Sequence, residues 1–96
     1  MRVLATIQMD TEAANEAMRH GTLEKTLESF LEQVHPEAAY FCPREGVRSA
    51  FVVFDMPEPS AMPPLFEPLF RELHAKIDVL PVMTVEDLRA GLGWLG

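Results

Sequence analysis

Three histidines are the residues of this chain best suited to metal or acid–base chemistry. His20 stands four residues after Glu16 and four before Glu24, so a helix would present Glu-His-Glu on one face. These three side chains could supply some of the ligands of a metal ion, but the sequence contains no further ligands at a recognisable spacing. We therefore predict an ordinary helical histidine and no bound metal. His74 ends a predicted helix, either as a general base facing a pocket or as a residue favoured by the helix dipole.

Tyr40 and Asp55 join His20 and His74 as candidate catalytic residues. Tyr40 lies in a predicted strand, either as an aromatic on a half-buried pleated surface or as a hydroxyl that orients a phenol or lactone. An enzyme would need at least one of the four to converge on a cavity, so whether the protein is an enzyme stays open. No phosphate loop, nucleophile elbow or CxxC motif is present, and we predict no cofactor.

Two polar residues on the first predicted strand are candidates for ligand binding. Thr6 and Gln8 lie on the face opposite Val3 and Ile7. A buried polar side chain needs a hydrogen-bond partner, which here is a second protomer, water or a ligand. Arg48 could bind a ligand carboxylate or could be a solvated strand end. The predicted ligand-binding residues are Thr6, Gln8, Tyr40, Phe54, Phe66 and Phe70.

The stretch "PPLFEPLF", residues 63 to 70, combines helical apolar spacing with three prolines. Pro68 removes one helical hydrogen bond and disfavours helical geometry at Glu67. We therefore predict two short pieces, 60–67 and 68–74, with a bend between them. A bent crossover would leave a gap beside Phe66 and Phe70, where a pocket is expected.

The helices and strands that position these residues are predicted from the spacing of apolar residues and from the prolines and glycines that interrupt it. A helix with a kink or break at 20–22 follows the first strand, and Thr22 is a possible new N-cap. Thr84 and Asp87 approximate a capping box for a last short helix. The predicted strands are 2–9, 38–42, 47–55 and 76–83, with Pro81 at an edge or bulge, and the helices are 12–34, 60–74 and one after Thr84. This order is the α+β ferredoxin-like βαββαβ plan with a four-stranded antiparallel sheet, helices on one face and a short C-terminal helix.

The predicted strands are apolar on both faces, whereas two helices can cover only one. Phe51 and Val53 lie opposite Val52 and Phe54. An uncovered apolar sheet face marks an interface, and we predict a homodimer in which the two sheets pack face to face. The apolar tail, Trp94 and Leu95, could reach the partner.

Composition excludes several partners. The chain has 96 residues, a net charge of −7 and scattered basic residues, so it forms one domain, 1–96, without the basic footprint that nucleic acid or an anionic membrane requires. No apolar run approaches a membrane span or signal peptide. The single cysteine, Cys42, cannot form an internal disulfide, and we predict a cytoplasmic protein.

Four segments give the chain a resemblance to the dimeric α+β barrel superfamily: "PEAAYF" (36–41), "FVVFDM" (51–56), "EPLF" (67–70) and "PVMTVEDLRAGL" (81–92). It is most similar to small uncharacterised bacterial members, and distantly to muconolactone isomerases and antibiotic-biosynthesis monooxygenases. The resemblance implies ferredoxin-like protomers that pair through their sheets and hold a small hydrophobic ligand between sheet and helices. No catalytic set of those families maps onto this chain.

Three classes of function stay open. The first is a dimer that binds a small apolar or aromatic molecule, and the second is a cofactor-free isomerase or monooxygenase. The third is a structural or regulatory dimer without a ligand. The first two predict a cavity between sheet and helices, and the third predicts a packed interior.

Overall fold

A computed structural model describes all of residues 1–96. The four strands form one antiparallel sheet in the order β2-β3-β1-β4, which confirms the predicted ferredoxin-like α+β architecture. A short 3-10 turn, Pro59–Ala61, precedes the third helix. The elements are β1 (Arg2–Gln8), α1 (Thr11–Arg19), α2 (Thr22–Val34), β2 (Ala38–Arg44), β3 (Val47–Asp55), α3 (Met62–Leu73), β4 (Lys76–Pro81) and α4 (Val85–Gly93).

The core lies between one face of the sheet and the helices α1, α2 and α3. Alternation along β1 and β3 sends every second side chain to this face, so Val3, Ala5 and Ile7 are buried while their neighbours are not. Three rings from three elements meet at its centre. The ring of Phe30 lies 6.2 Å from that of Phe54 and 5.8 Å from that of Phe66, in edge and tilted contacts. This part of the interior is filled.

The predicted break in the first helical region is confirmed. Asp10 caps α1 by accepting a 3.0 Å hydrogen bond from the backbone N–H of Ala13. Gly21, with a φ of 71°, separates α1 from α2 in a left-handed conformation that glycine adopts without strain. Thr22 is not the N-cap that the sequence suggested. Its hydroxyl donates to the carbonyl of Ala17 instead, because Gly21 already occupies the cap position.

The prediction that Pro68 divides the second crossover is wrong, because α3 is a single helix that runs through it. Pro68 loses its own backbone hydrogen bond. However, Phe66, Leu69 and Leu73 on the same stripe are fully or nearly fully buried. Burying one such side chain contributes about 1.5–3 kcal/mol, so the three together outweigh the roughly 3 kcal/mol cost of an interior proline.

Helix α4 stands apart from the rest of the chain. None of its residues is buried, and Leu88 and Leu92 are exposed on its surface. The radius of gyration is 15.3 Å, against about 12.5 Å for a compact domain of this length. No helix in the structure is long and apolar enough to cross a bilayer.

A complete capping box holds the first turn of α4, as predicted. The Thr84 hydroxyl accepts from the Asp87 N–H at 3.1 Å, and the Asp87 carboxylate accepts from the Thr84 N–H at 3.0 Å. The backbone and side-chain hydrogen bonds from Thr84 lower the pKa of Asp87 below its ordinary value of 3.8.

Acid should loosen this cap. Because the pKa of Asp87 is lower in the folded helix, the stability it contributes is present above the unfolded value and is lost as the pH falls through the folded one. We expect the amide signals of residues 85–93 to move towards unfolded positions in that range, in an NMR titration that follows the Asp87 carboxyl carbon. In Thr84→Ala, α4 should lose about 1 kcal/mol of stability and the pKa of Asp87 should rise towards 3.8. An unchanged pKa in that variant would contradict the assignment.

Candidate functional site

The six predicted ligand-binding residues are divided among three parts of the fold. Phe54 and Phe66 are buried in the core. Phe70, on α3, is 41% exposed. Thr6, Gln8 and Tyr40 lie on the sheet face that no helix covers. The structure therefore brings the six into no common pocket, and the space expected beside Phe66 is occupied by its own ring and those of Phe30 and Phe54.

The four candidate catalytic residues are all exposed in the protomer and converge on no common cavity. Tyr40 is 70% exposed on β2, and Asp55, at the end of β3, forms a 2.7 Å ion pair with the amino terminus. His20 lies 2.8 Å from a carboxylate oxygen of Glu16. That carboxylate also pairs with Arg19, and both contacts lower its pKa, the Arg19 hydrogen bond most. No group of three His, Cys, Asp or Glu residues is arranged to hold a metal ion.

His74 closes α3 in a left-handed conformation, with a φ of 45°. It borders a shallow depression of about 470 Å³ together with Asp10, Glu12 and Glu16. The depression is polar and acidic, and its lining residues belong mostly to α1. Ala13 is the one hydrophobic residue in its lining, so the depression is a weak candidate for an apolar substrate.

The uncovered side of the sheet has an apolar centre and a charged rim. Its central row runs across all four strands, pairing Val53 with Ala38 on one side and with Leu4 on the other, and Leu4 with Leu80. A second row pairs Tyr40, Phe51 and Thr6. We call this surface the open face, and it comprises Arg2, Leu4, Thr6, Gln8, Ala38, Tyr40, Phe51, Val53, Asp55, Asp78 and Leu80.

Polar residues of the open face are only partly satisfied within the protomer. The side-chain amide of Gln8 donates a 3.0 Å hydrogen bond to the carboxylate of Glu45 at the hairpin turn. Arg2 forms a 2.7 Å ion pair with Glu37, which raises the pKa of the guanidinium. Thr6 is half-buried without a side-chain hydrogen bond to its own chain.

The larger apolar depressions lie at the sheet edge, where α2 passes over β2 and only partly covers it, and a smaller one of about 270 Å³ lies beside Met56 and Met62. The two at the sheet edge, of about 330 and 470 Å³, share Leu23, Leu27 and Phe41. We call the pair the α2–β2 groove, with an inner depression that also touches Met9, Pro43 and Arg48 and an outer one that also touches Met18, Glu24, Glu28 and Leu31.

Phe41 forms the wall of this groove. It follows Tyr40 in β2 and therefore points to the helix side of the sheet, where it remains 51% exposed because β2 is an edge strand. Arg48 lies on the same side, at the start of β3, opposite Pro43. All four ion pairs of the structure involve other cations, so Arg48, a half-buried residue, has no carboxylate partner.

The residues predicted from the sequence to form a site do not include Leu23, Leu27 and Phe41. Strand alternation in β2 could have indicated them, because Phe41 follows Tyr40 and must point to the opposite face of the sheet. The wide apolar stripe of α2 then has to pack on that same face. A second groove, of about 330 Å³, runs between α2 and α3 beside Leu65 and Pro68. Most of its lining residues have polar side chains, among them Lys25, Gln33 and Glu72, so it is a weaker candidate for an apolar ligand.

No protein-family model matches this chain, and no curated protein matches it in sequence. Solved structures that are similar to it in fold include the following two. The uncharacterized protein TM1266 from Thermotoga maritima has a TM-score of 0.55 and 15% identity, over 85% of this chain and 95% of that one. A formyltetrahydrofolate deformylase from Pseudomonas putida KT2440 has a TM-score of 0.53 and 11% identity, over 84% of this chain but 28% of that one. The TM-scores indicate a shared fold. At identities of 15% and 11%, the similarity says nothing about the activity or ligand of this chain.

Proposed function

We propose that the protein works as a homodimer of the dimeric α+β barrel type, paired through the open face, and that each protomer binds a small apolar or aromatic molecule. The ligand would lie in the α2–β2 groove. The single observation that carries the binding function is this groove, because it is the larger of two places between sheet and helices where concave apolar surface is left uncovered. The other, of about 270 Å³, lies beside Met56 and Met62. Its two depressions are within the size range of small-molecule sites.

The amount of exposed surface supports the homodimer. A folded monomer of this mass exposes about 5,500 Å², whereas this protomer exposes 6509 Å². The excess is close to the roughly 800 Å² per partner of a standard interface. An apolar centre with a charged rim, as on the open face, is also the usual composition of an interface.

Helix α4 supports the same proposal independently. An isolated helix of nine residues is marginal in water, yet α4 has a complete capping box and exposes Val85, Leu88 and Leu92. Trp94, beyond it, is 87% exposed. A second copy of the chain would supply the surface that these residues lack.

Pairing through strand edges is less favourable than pairing through faces. Both edge strands contain a proline, Pro43 in β2 and Pro81 in β4. Proline cannot donate to a neighbouring strand and is a common means of blocking edge-to-edge association. The open face has no such protection.

A thermal-shift screen of aromatic molecules, at fixed protein concentration, tests the binding function. A ligand at 100 times its Kd adds about 2.7 kcal/mol to the free energy of unfolding, which raises Tm by roughly 10–20 °C in a domain of this size. Phe41→Ser should abolish most of the shift because it removes the groove wall. Phe70→Ser is the matched control, since it removes a similarly exposed ring from α3, outside both the groove and the open face, and it should keep the shift. Equal shifts in both variants would place the ligand elsewhere.

A structural or regulatory dimer without a ligand is the second candidate. The filled interior favours it, because Phe30, Phe54 and Phe66 leave no central cavity between sheet and helices. The same screen separates the two: no stabilising molecule, together with an intact dimer, would favour this candidate. Catalysis by an isomerase or monooxygenase has no comparable support, since none of the four candidate residues lines the groove.

A further inference from the structure

We infer that the ligand of the α2–β2 groove carries a carboxylate, which Arg48 binds, and an apolar body that lies along Leu23, Leu27 and Phe41. This inference rests on the proposed binding function and adds the chemical class of the ligand. It is carried by the distribution of charge along the groove.

Arg48 supplies the only positive charge of the groove. Strand alternation places it on the helix side of β3, in line with the buried residues Ala50 and Val52, and it borders the inner depression. Arg48 is half-buried and forms no ion pair in its own protomer, so its charge is available to an anionic ligand. Its planar fork of donors fits a carboxylate in a bidentate arrangement.

Apart from Cys42 and from Ser49, whose hydroxyl donates to the carbonyl of Val47, the rest of the inner depression is apolar, which limits how a ligand can lie. Met9, Leu23, Leu27 and Phe41 offer no hydrogen bonds from their side chains. A molecule with its carboxylate at Arg48 would therefore place a hydrocarbon or aromatic portion against these four. A free inorganic anion would gain nothing from them.

Acidic residues at the other end set the direction of the ligand. Glu24 and Glu28 border the outer depression and do not border the inner one. They would repel a carboxylate placed at that end, and the net charge of −7 opposes anion binding elsewhere on the surface. A monocarboxylate with an apolar tail is thus favoured over a dicarboxylate.

Three matched probes test the inference by isothermal titration with the full-length protein near neutral pH. Phenylpropionate, phenylpropanol and phenylpropylamine share one apolar body and differ in the charge of the end group. We expect phenylpropionate to bind at least about 10-fold more tightly than the alcohol, as a hydrogen bond to a charged group contributes roughly 1.5–3 kcal/mol. The amine should bind no better than the alcohol.

Variants identify the residue responsible. Arg48→Gln should abolish the preference for the acid while leaving the affinity for the alcohol, and Arg48→Lys should retain part of it. Arg71→Gln, which removes another unpaired arginine from the exposed side of α3, should change nothing. Circular dichroism of each variant checks that the fold is retained.

The outcomes separate this inference from the proposed function. Equal binding of acid and alcohol, tightest binding of the amine, or a preference that survives Arg48→Gln would overturn the carboxylate while leaving the groove as a binding site. Failure of all three probes to bind the wild-type protein would overturn both.

Discussion

Phe66→Ala is expected to lower the free energy of unfolding by about 3–5 kcal/mol, the range found for removing a buried aromatic side chain. Phe66 is 4% exposed, and its ring contacts those of Phe30 and Phe54 at 5.8 and 6.5 Å between centroids. Small domains have a total stability of about 5–15 kcal/mol, so the loss is a large part of the whole. Urea unfolding followed by circular dichroism at fixed protein concentration measures it.

Phe70→Ala is the matched control, because it removes the same side chain four residues later on the same helix. Phe70 is 41% exposed, and its loss should cost about 1 kcal/mol or less. Phe66→Leu, which keeps most of the volume, provides a milder test should the alanine variant fail to fold. A cost for Phe66→Ala no larger than for Phe70→Ala would mean that the space beneath α3 is not filled as described.

Glutamate in place of both Tyr40 and Leu80 should convert the protein from dimer to monomer. The two residues lie on opposite edge strands of the open face and are 70% and 52% exposed in the protomer. A face-to-face dimer is two-fold symmetric, so each substitution appears twice in the interface. Burying unpaired carboxylates there should weaken association by about 100-fold or more, that is, by at least roughly 2.7 kcal/mol.

Phe70→Glu is the control for this experiment, since it places a charge on a similarly exposed ring on the helix side. Both proteins should keep a native circular dichroism spectrum, and sedimentation should report a monomer for the double variant alone. Trp94 provides a second readout, because its emission should become that of a solvated indole when the partner is lost. A double variant that sediments with the wild-type dimer would exclude the open face as the interface.

The elements of this fold were predictable because each is encoded by local chemistry. Alternation in β1 and the capping box at Thr84 each act within a few residues, and both are present. Pro68 shows where local rules fail. The free energy gained by burying Phe66 and Leu69 against distant elements outweighs the cost of a proline inside a helix. That gain depends on the tertiary packing, which cannot be measured from the sequence alone.

The candidate site was less predictable because it depends on which elements lie side by side. Thr6 and Gln8 were placed on the correct face, but the partner of Gln8 is Glu45, which is distant in sequence. Phe41 belongs to the groove only because β2 is an edge strand that α2 incompletely covers. Strand order and helix position both arise from packing across the whole chain.

Sedimentation equilibrium of the wild-type protein at micromolar concentration tests whether a second copy of the chain covers the open face. We expect a species of twice the 10.8 kDa chain mass, with Trp94 emission that shifts towards that of a solvated indole on dilution. A stable monomer of 10.8 kDa across that concentration range would contradict this expectation.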